Sequence, residues 1–291
     1  MAIHYWKRFS ETLGTRNFGD DLNPFLLGRL FSERLIASPH VCIMGIGSII
    51  NDRNVAAMEG FAQKIIFSSG AGYERLERPL DASWSVACVR GPRTAALMGI
   101  EPAKAVCDGA ILLSDFHEVV PQGRREGVAF VPHVHTARAM GRGLREICDA
   151  LGLDYVAPDR PHEDFVRAIG RAEWVLTEAM HGAILADTLR TPWLCCHILH
   201  HNRFKWQDWC GSLGLPYEAV HLGARFSDAG LTSLARLPQV AVSALRRRRI
   251  EGRLRRLLRC GRPRLSDEAV LEDRKRALRG IAEDINRDFA A

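Results

Sequence analysis

About six times along this chain a short apolar run gives way to a polar or glycine-rich turn and then to a helical stretch. Alternation of that kind calls for parallel strands joined by crossover helices, and it excludes an all-helical or all-β fold. Residues 3–7 supply the first run. A long polar loop follows, and Asn23-Pro24 reads as a helix start, because asparagine is a favoured N-cap and proline at the first helical position gives up no hydrogen bond. Val41-Cys42-Ile43-Met44 then ends in Gly45-Ile46-Gly47-Ser48, and Lys64-Ile65-Ile66-Phe67 ends in Ser68-Ser69-Gly70-Ala71-Gly72. Ser85-Val86-Ala87-Cys88-Val89 ends in Arg90, facing a helix opened by Gly91-Pro92, and Ala105-Val106-Cys107 ends in Asp108-Gly109-Ala110.

Pro121-Gln122-Gly123-Arg124-Arg125-Glu126-Gly127 has the composition of an interdomain linker, and a second strand-helix series begins behind it at Val128. Helices are predicted from Thr136 and over 162–171, with a strand near Tyr155 between them. Next comes the corner Trp174-Val175-Leu176-Thr177-Glu178-Ala179-Met180-His181-Gly182, then a strand from Pro192 and a polar-aromatic helix from Asn202. The expected architecture is α/β, with two Rossmann-like domains of mainly parallel sheets at 1–122 and 127–235 and a basic helical C-terminal segment at 236–291.

Composition narrows the functional classes. With 47% apolar and 25% charged residues, the 291-residue chain can bury a sizeable core, and its eight scattered cysteines read as small core residues in a reducing compartment. Only Cys195-Cys196-His197 followed by His200 and His201 has zinc-binding residue types, in a spacing that matches no standard ligand pattern, so no metal is expected. No apolar run approaches the roughly 20 residues that span a bilayer, and the N-terminus lacks the apolar core of a signal peptide; a cytoplasmic location is expected. The net charge of +6 is local: ten arginines and one glutamate between Arg246 and Arg264 carry +9, which leaves about −3 elsewhere.

The corner at Glu178 and His181 draws the functional reading. In an open α/β sheet such a corner faces the crevice at the carboxyl ends of the strands, where polar side chains and free backbone N–H groups meet ligands. Asn17, Asp20 and Asn23 lie in the loop after the first strand, either as ligand contacts or as a capped surface loop. Gly47 and Ser48 sit in a turn that lets backbone approach a ligand but lacks the full dinucleotide fingerprint. Arg90 suits a bidentate phosphate or carboxylate, or equally a neighbouring carboxylate of the chain itself. Lys205 is a further candidate against the default of a solvated lysine.

Asn17-Phe18-Gly19-Asp20, Gly45-Ile46-Gly47-Ser48, Val89-Arg90, Asp108-Gly109-Ala110 and His181-Gly182-Ala183-Ile184-Leu185-Ala186 occur in the order and approximate spacing of the polysaccharide pyruvyl transferase family. The chain resembles that family over about 3–213, and the form around Thr177 to Ile184 is similar to its exopolysaccharide, succinoglycan-type ketal pyruvyl transferases. The resemblance implies a GT-B-like pair of Rossmann-like halves with a site in the cleft. It implies transfer of the pyruvyl group of phosphoenolpyruvate, the donor substrate, to two hydroxyls of one sugar, giving a cyclic ketal and phosphate with no cofactor. The implied acceptor is a saccharide linked to undecaprenyl diphosphate, which would bring the enzyme to the inner membrane as a peripheral protein. Many members carry an arginine two residues before the histidine, whereas this chain has Ala179; Arg90, His133, Arg203 and Lys205 are the cations expected to compensate.

On that reading His181 is the general acid that protonates the methylene carbon, with Glu178 or the trianionic substrate offsetting the helix N-terminus that disfavours imidazolium, and with Gly182 beside the substrate. The arginine-rich segment between Arg246 and Arg264 has three readings: a solvated face, docking on anionic lipid, and nucleic-acid binding, the last not expected. The competing classes are a GT-B-type glycosyltransferase using a nucleotide sugar and a non-catalytic scaffold of polysaccharide assembly.

Overall fold

A computed structural model describes residues 3–7, 17–116, 123–199, 201–227 and 237–289. Most of the polar loop before Asn17, and Pro121-Gln122 of the expected linker, lie outside them. The chain forms two compact units, each α/β with a parallel sheet. The first comprises Met1–His117, Asn202–Tyr217 and Ser266–Ala291, and the second Glu118–His201 and Glu218–Leu265. Both are discontinuous, unlike the contiguous partition expected from the linker composition. Residues 202–217 and 266–291 go to the first unit, where their polar groups find partners: buried Asp208 on Arg90, and the partly buried Arg274 on the Ser212 carbonyl and Asn286 on the Leu30 carbonyl.

In the first unit β1 (Ile3–His4), β2 (Val41–Met44), β3 (Gln63–Ser69) and β4 (Trp84–Val89) pair in chain order, all parallel. Burial on both faces explains why β2 is a continuous apolar run instead of an alternating one. Helix α1 spans Phe18–Leu30, which corrects the expected start at Asn23: the N-cap is Asn17 and Pro24 lies inside the helix. Proline is tolerated there because a side chain replaces its missing donor. Asn23 Nδ2 donates to the Asp20 carbonyl at 3.0 Å, the acceptor that residue 24 would otherwise have bonded. The following elements are α2 (Glu33–Ala37), α3 (Asp52–Ala57) and α4 (Pro92–Met98), the last beginning with proline as expected. Ala105 contributes a single parallel bridge to Val89, and Gly109–Asp115 is a 3-10 helix.

The second unit contains β5 (Val128–Val131), α5 (Val134–Leu151), β6 (Leu153–Tyr155), α6 (His162–Arg171), β7 (Trp174–Thr177), α7 (Met180–Thr188), β8 (Trp193–His197) and β9 (Val220–His221). Its sheet order is β6-β5-β7-β8-β9, all parallel. The chain therefore reverses direction across the sheet between β5 and β7, and ligands in open α/β sheets bind outside the carboxyl ends at such a reversal. Helix α7 is buried almost all round, with Trp193 donating its indole N–H to Asp187 at 2.9 Å. The polar-aromatic helix α8 (Arg203–Ser212) and the final helix α10 (Glu268–Asp288) belong to the first unit, and the arginine-rich α9 (Leu237–Cys260) to the second.

Candidate active site

Two clusters of polar residues stand at the carboxyl ends of strands, one in each unit. In the second unit the register pairs Val131 of β5 with Thr177 of β7, so the residues after each strand emerge side by side at the reversal point. After β5 comes His133, which caps α5: its Nδ1 accepts the N–H of His135 at 3.3 Å, and the two rings stack with centroids 5.2 Å apart. An accepting Nδ1 leaves Nε2 as the protonated, donating nitrogen of the neutral ring.

After β7 come Glu178, Ala179 and the first turn of α7. The N-cap residue Ala179 offers no side-chain cap, so the helix presents its N-terminal dipole unneutralised, with the partly exposed His181 in that turn. Thr177 Oγ accepts the N–H of Ala179 at 3.1 Å and donates to its carbonyl at 2.7 Å. Gly182 is needed for packing: a Cβ there would sit 2.6 Å from Thr177 Oγ and 3.1 Å from Val131. The expected substrate contact at Gly182 is thus a close approach of helix to strand ends.

Glu178 also has a different task from the one expected. Its buried carboxylate accepts the N–H groups of His133 (3.0 Å), Ile198 (2.6 Å) and Leu199 (3.2 Å). Burial pushes its pKa above the ordinary value against the lowering effect of those bonds. Through these bonds Glu178 ties together the ends of β5, β7 and β8 beside His181.

In the first unit the Gly45-Ile46-Gly47-Ser48 turn is tied to α1. Asn23, fully buried, accepts the Ile46 N–H at 2.7 Å and donates to the Ile46 carbonyl at 3.0 Å; a Cβ on residue 45 would lie 2.2 Å from its Oδ1. The amide of Asn23 is therefore used internally, which corrects its assignment as a substrate contact. Gly47, at φ +137, needs a conformation that side chains rarely adopt.

Arg90 is fully buried as well. Its Nε donates to Asp208 Oδ2 (3.0 Å), one terminal nitrogen to Ser48 Oγ (2.6 Å) and the other to the Ala71 carbonyl (2.7 Å). Asp208 also accepts the Thr94 N–H at 2.9 Å and the Thr94 hydroxyl at 2.6 Å. The anion expected at the α4 N-terminus is thus a carboxylate of the chain. Of the alternatives for Arg90, pairing with a neighbouring acid is the one found.

What stays open in this unit is a smaller set. Ser48 is partly exposed and, while accepting from Arg90, keeps its own proton to donate. Arg203 is exposed and makes no ion pair with another described residue. Lys205 is nearly buried, with Nζ 2.9 Å from the Tyr73 hydroxyl. Asn17 caps α1 and donates its side-chain amide to the carboxylate of Asp20.

The family model for polysaccharide pyruvyl transferase matches residues 3–197. The chain belongs to the polysaccharide pyruvyl transferase family. It is also similar to a protein of Rhizobium meliloti (strain 1021) described as succinoglycan biosynthesis protein ExoV, with 34% identity over 330 residues that cover 99% of this chain and 100% of that one. The match makes the chain a pyruvyl transferase, and the enzyme's ionisable groups can be judged accordingly.

Burial raises the pKa of Asp20 from 3.8 to about 7, with the Asn17 amide and the Lys205 ammonium pulling the other way, and raises that of Asp108 to about 6. Between the unfolded value and about 7 the folded chain holds a proton that the unfolded chain has released. Stability from Asp20 is therefore complete below about 4 and lost as pH rises to about 7. Asp20→Asn is expected to gain stability over the parent at pH 8 relative to pH 5 in urea unfolding; an equal difference at both would mean that Asp20 titrates ordinarily.

Asp208 is the residue that sequence reasoning missed. A buried acid flanked by Trp206 and Trp209 on a helix is a signal in itself, since such a charge needs a cationic partner.

Proposed function

We propose that this enzyme moves the pyruvyl group of phosphoenolpyruvate onto two hydroxyls of one sugar in an exopolysaccharide repeat. The description of the Rhizobium meliloti relative as a succinoglycan biosynthesis protein supports a polysaccharide acceptor. The reaction converts the enol phosphate into a ketal. A proton goes to the methylene carbon, one hydroxyl oxygen bonds the central carbon and gives up its proton, and the second hydroxyl oxygen displaces phosphate, closing the ring and releasing its own proton. His181 supplies the first proton, the uncapped α7 N-terminus faces the anion, and the Nε2 proton of His133 is a hydrogen-bond donor at the adjacent strand end. The observation that carries this reading is the position of His181 at the β5–β7 reversal, where an open parallel sheet places its ligands. Ser48, Arg203 and Lys205 are the further substrate contacts we propose in the first unit. The acceptor is proposed to be linked to undecaprenyl diphosphate and to be met at the inner leaflet.

Phosphoenolpyruvate is expected to raise the melting temperature and nucleoside diphosphates to leave it unchanged. Mass spectrometry of the glycan should then show one added pyruvyl ketal for each phosphate released. Stabilisation by a nucleoside diphosphate alone, with transfer of a hexose, would make the enzyme a glycosyltransferase.

A further inference from the structure

The outer face of α9 is a surface that the transfer reaction does not use. Val242, Leu245, Arg249, Gly252, Arg256 and Arg259 recur at spacings of three and four, so they share one stripe of the helix, and all are exposed. The opposite stripe holds Ile250 and Leu254, fully buried in the core of the second unit. The arginines divide accordingly. Arg247 pairs with Glu146 at 2.7 Å, Arg255 with Glu251 at 2.8 Å, and Arg253 donates to the His221 carbonyl at 2.8 Å. By contrast, Arg248, Arg249, Arg256 and Arg259 bond no described residue. Glu251, the one acid of the helix, is committed to Arg255.

From this arrangement we infer that the outer stripe of α9 docks on an anionic lipid surface. Like charges at helical spacing repel one another, so the unpaired stripe is unfavourable until an anionic partner meets it. A nucleic-acid backbone would satisfy the arginines but not the neighbouring apolar side chains. Leu245 is 68% exposed and Val242 48%, on the same stripe and one turn N-terminal to the arginines. A bilayer accommodates both, with guanidinium groups at the phosphates and Leu245 and Val242 in the headgroup-acyl boundary. No described helix is long and apolar enough to cross a membrane, so the contact is peripheral.

The full chain is tested by flotation with phosphatidylcholine vesicles, with and without about 30% phosphatidylglycerol, at low and high salt. Binding is expected only to the anionic vesicles and to weaken with salt. Each arginine removed should weaken it about fivefold, so Arg249→Ala/Arg256→Ala should lose roughly 25-fold. Leu245→Asp should lose binding too, while Arg247→Ala, engaged with Glu146, should lose little. Matched melting temperatures keep these losses separate from unfolding. Absence of binding to anionic vesicles at low salt, or equal binding by the double variant, overturns the inference. Intact binding by Leu245→Asp combined with displacement by duplex DNA also overturns it, in favour of a nucleic-acid partner. None of these readouts depends on phosphoenolpyruvate or on turnover.

Discussion

His181→Ala is expected to reduce phosphate release at saturating phosphoenolpyruvate by about 10²- to 10⁴-fold, the range spanned by loss of a general acid. The fall should appear in kcat, with KM changed far less, because a proton delivered only in the transition state adds little to ground-state binding. The geometry sets up a competition that this experiment reads. The uncapped N-terminus of α7 favours a negative charge beside His181, while the Glu178 carboxylate accepts three backbone N–H groups and braces the corner. On the proposed mechanism a trianionic donor bound beside the ring would favour its protonated form. Melting temperatures of parent and variant separate a loss of turnover from a loss of fold. Turnover close to the parent would remove His181 from the chemistry and leave the corner as an anion site alone.

The elements that sequence reasoning located best were those whose signals are local. Pro92 at a helix start, helix α6 and the strand-helix corner at Thr177 all emerged where expected, because each is written in neighbouring residues. Asn23-Pro24 misled for a physical reason: a helix cap and a mid-helix proline rescued by the preceding asparagine have the same local sequence. The role of Asn23 is set by Ile46, 23 residues away, and that of Arg90 by Asp208, 118 residues away. Such long-range partners leave no periodicity to read. The exposed stripe of α9 was half legible. Its charge was evident, but which arginines are bonded to Glu146, Glu251 or the His221 carbonyl depends on packing.

Breaking the Arg90–Asp208 pair is expected to destabilise the first unit by about 3–5 kcal/mol, a large share of a typical folding free energy of about 5–15 kcal/mol. Both side chains are fully buried, so Arg90→Ala leaves the Asp208 carboxylate with only Thr94 to satisfy it. Asp208→Ala strands a guanidinium whose remaining bonds are to Ser48 and the Ala71 carbonyl. Replacing both by apolar residues of similar volume, as in Arg90→Met/Asp208→Leu, should lose less than the sum of the single changes, because neither buried charge remains unpaired. Urea unfolding followed by tryptophan fluorescence reads this directly, since Trp206 and Trp209 flank Asp208 on α8. The same variants decide what Arg90 does for the substrate. An internal Arg90 acts by holding Ser48 and the Ala71 carbonyl in place, so Arg90→Ala should weaken phosphoenolpyruvate binding only together with stability. Weakened binding at parental stability would instead make the guanidinium a direct contact, and the pairing with Asp208 would then have to open when the substrate binds.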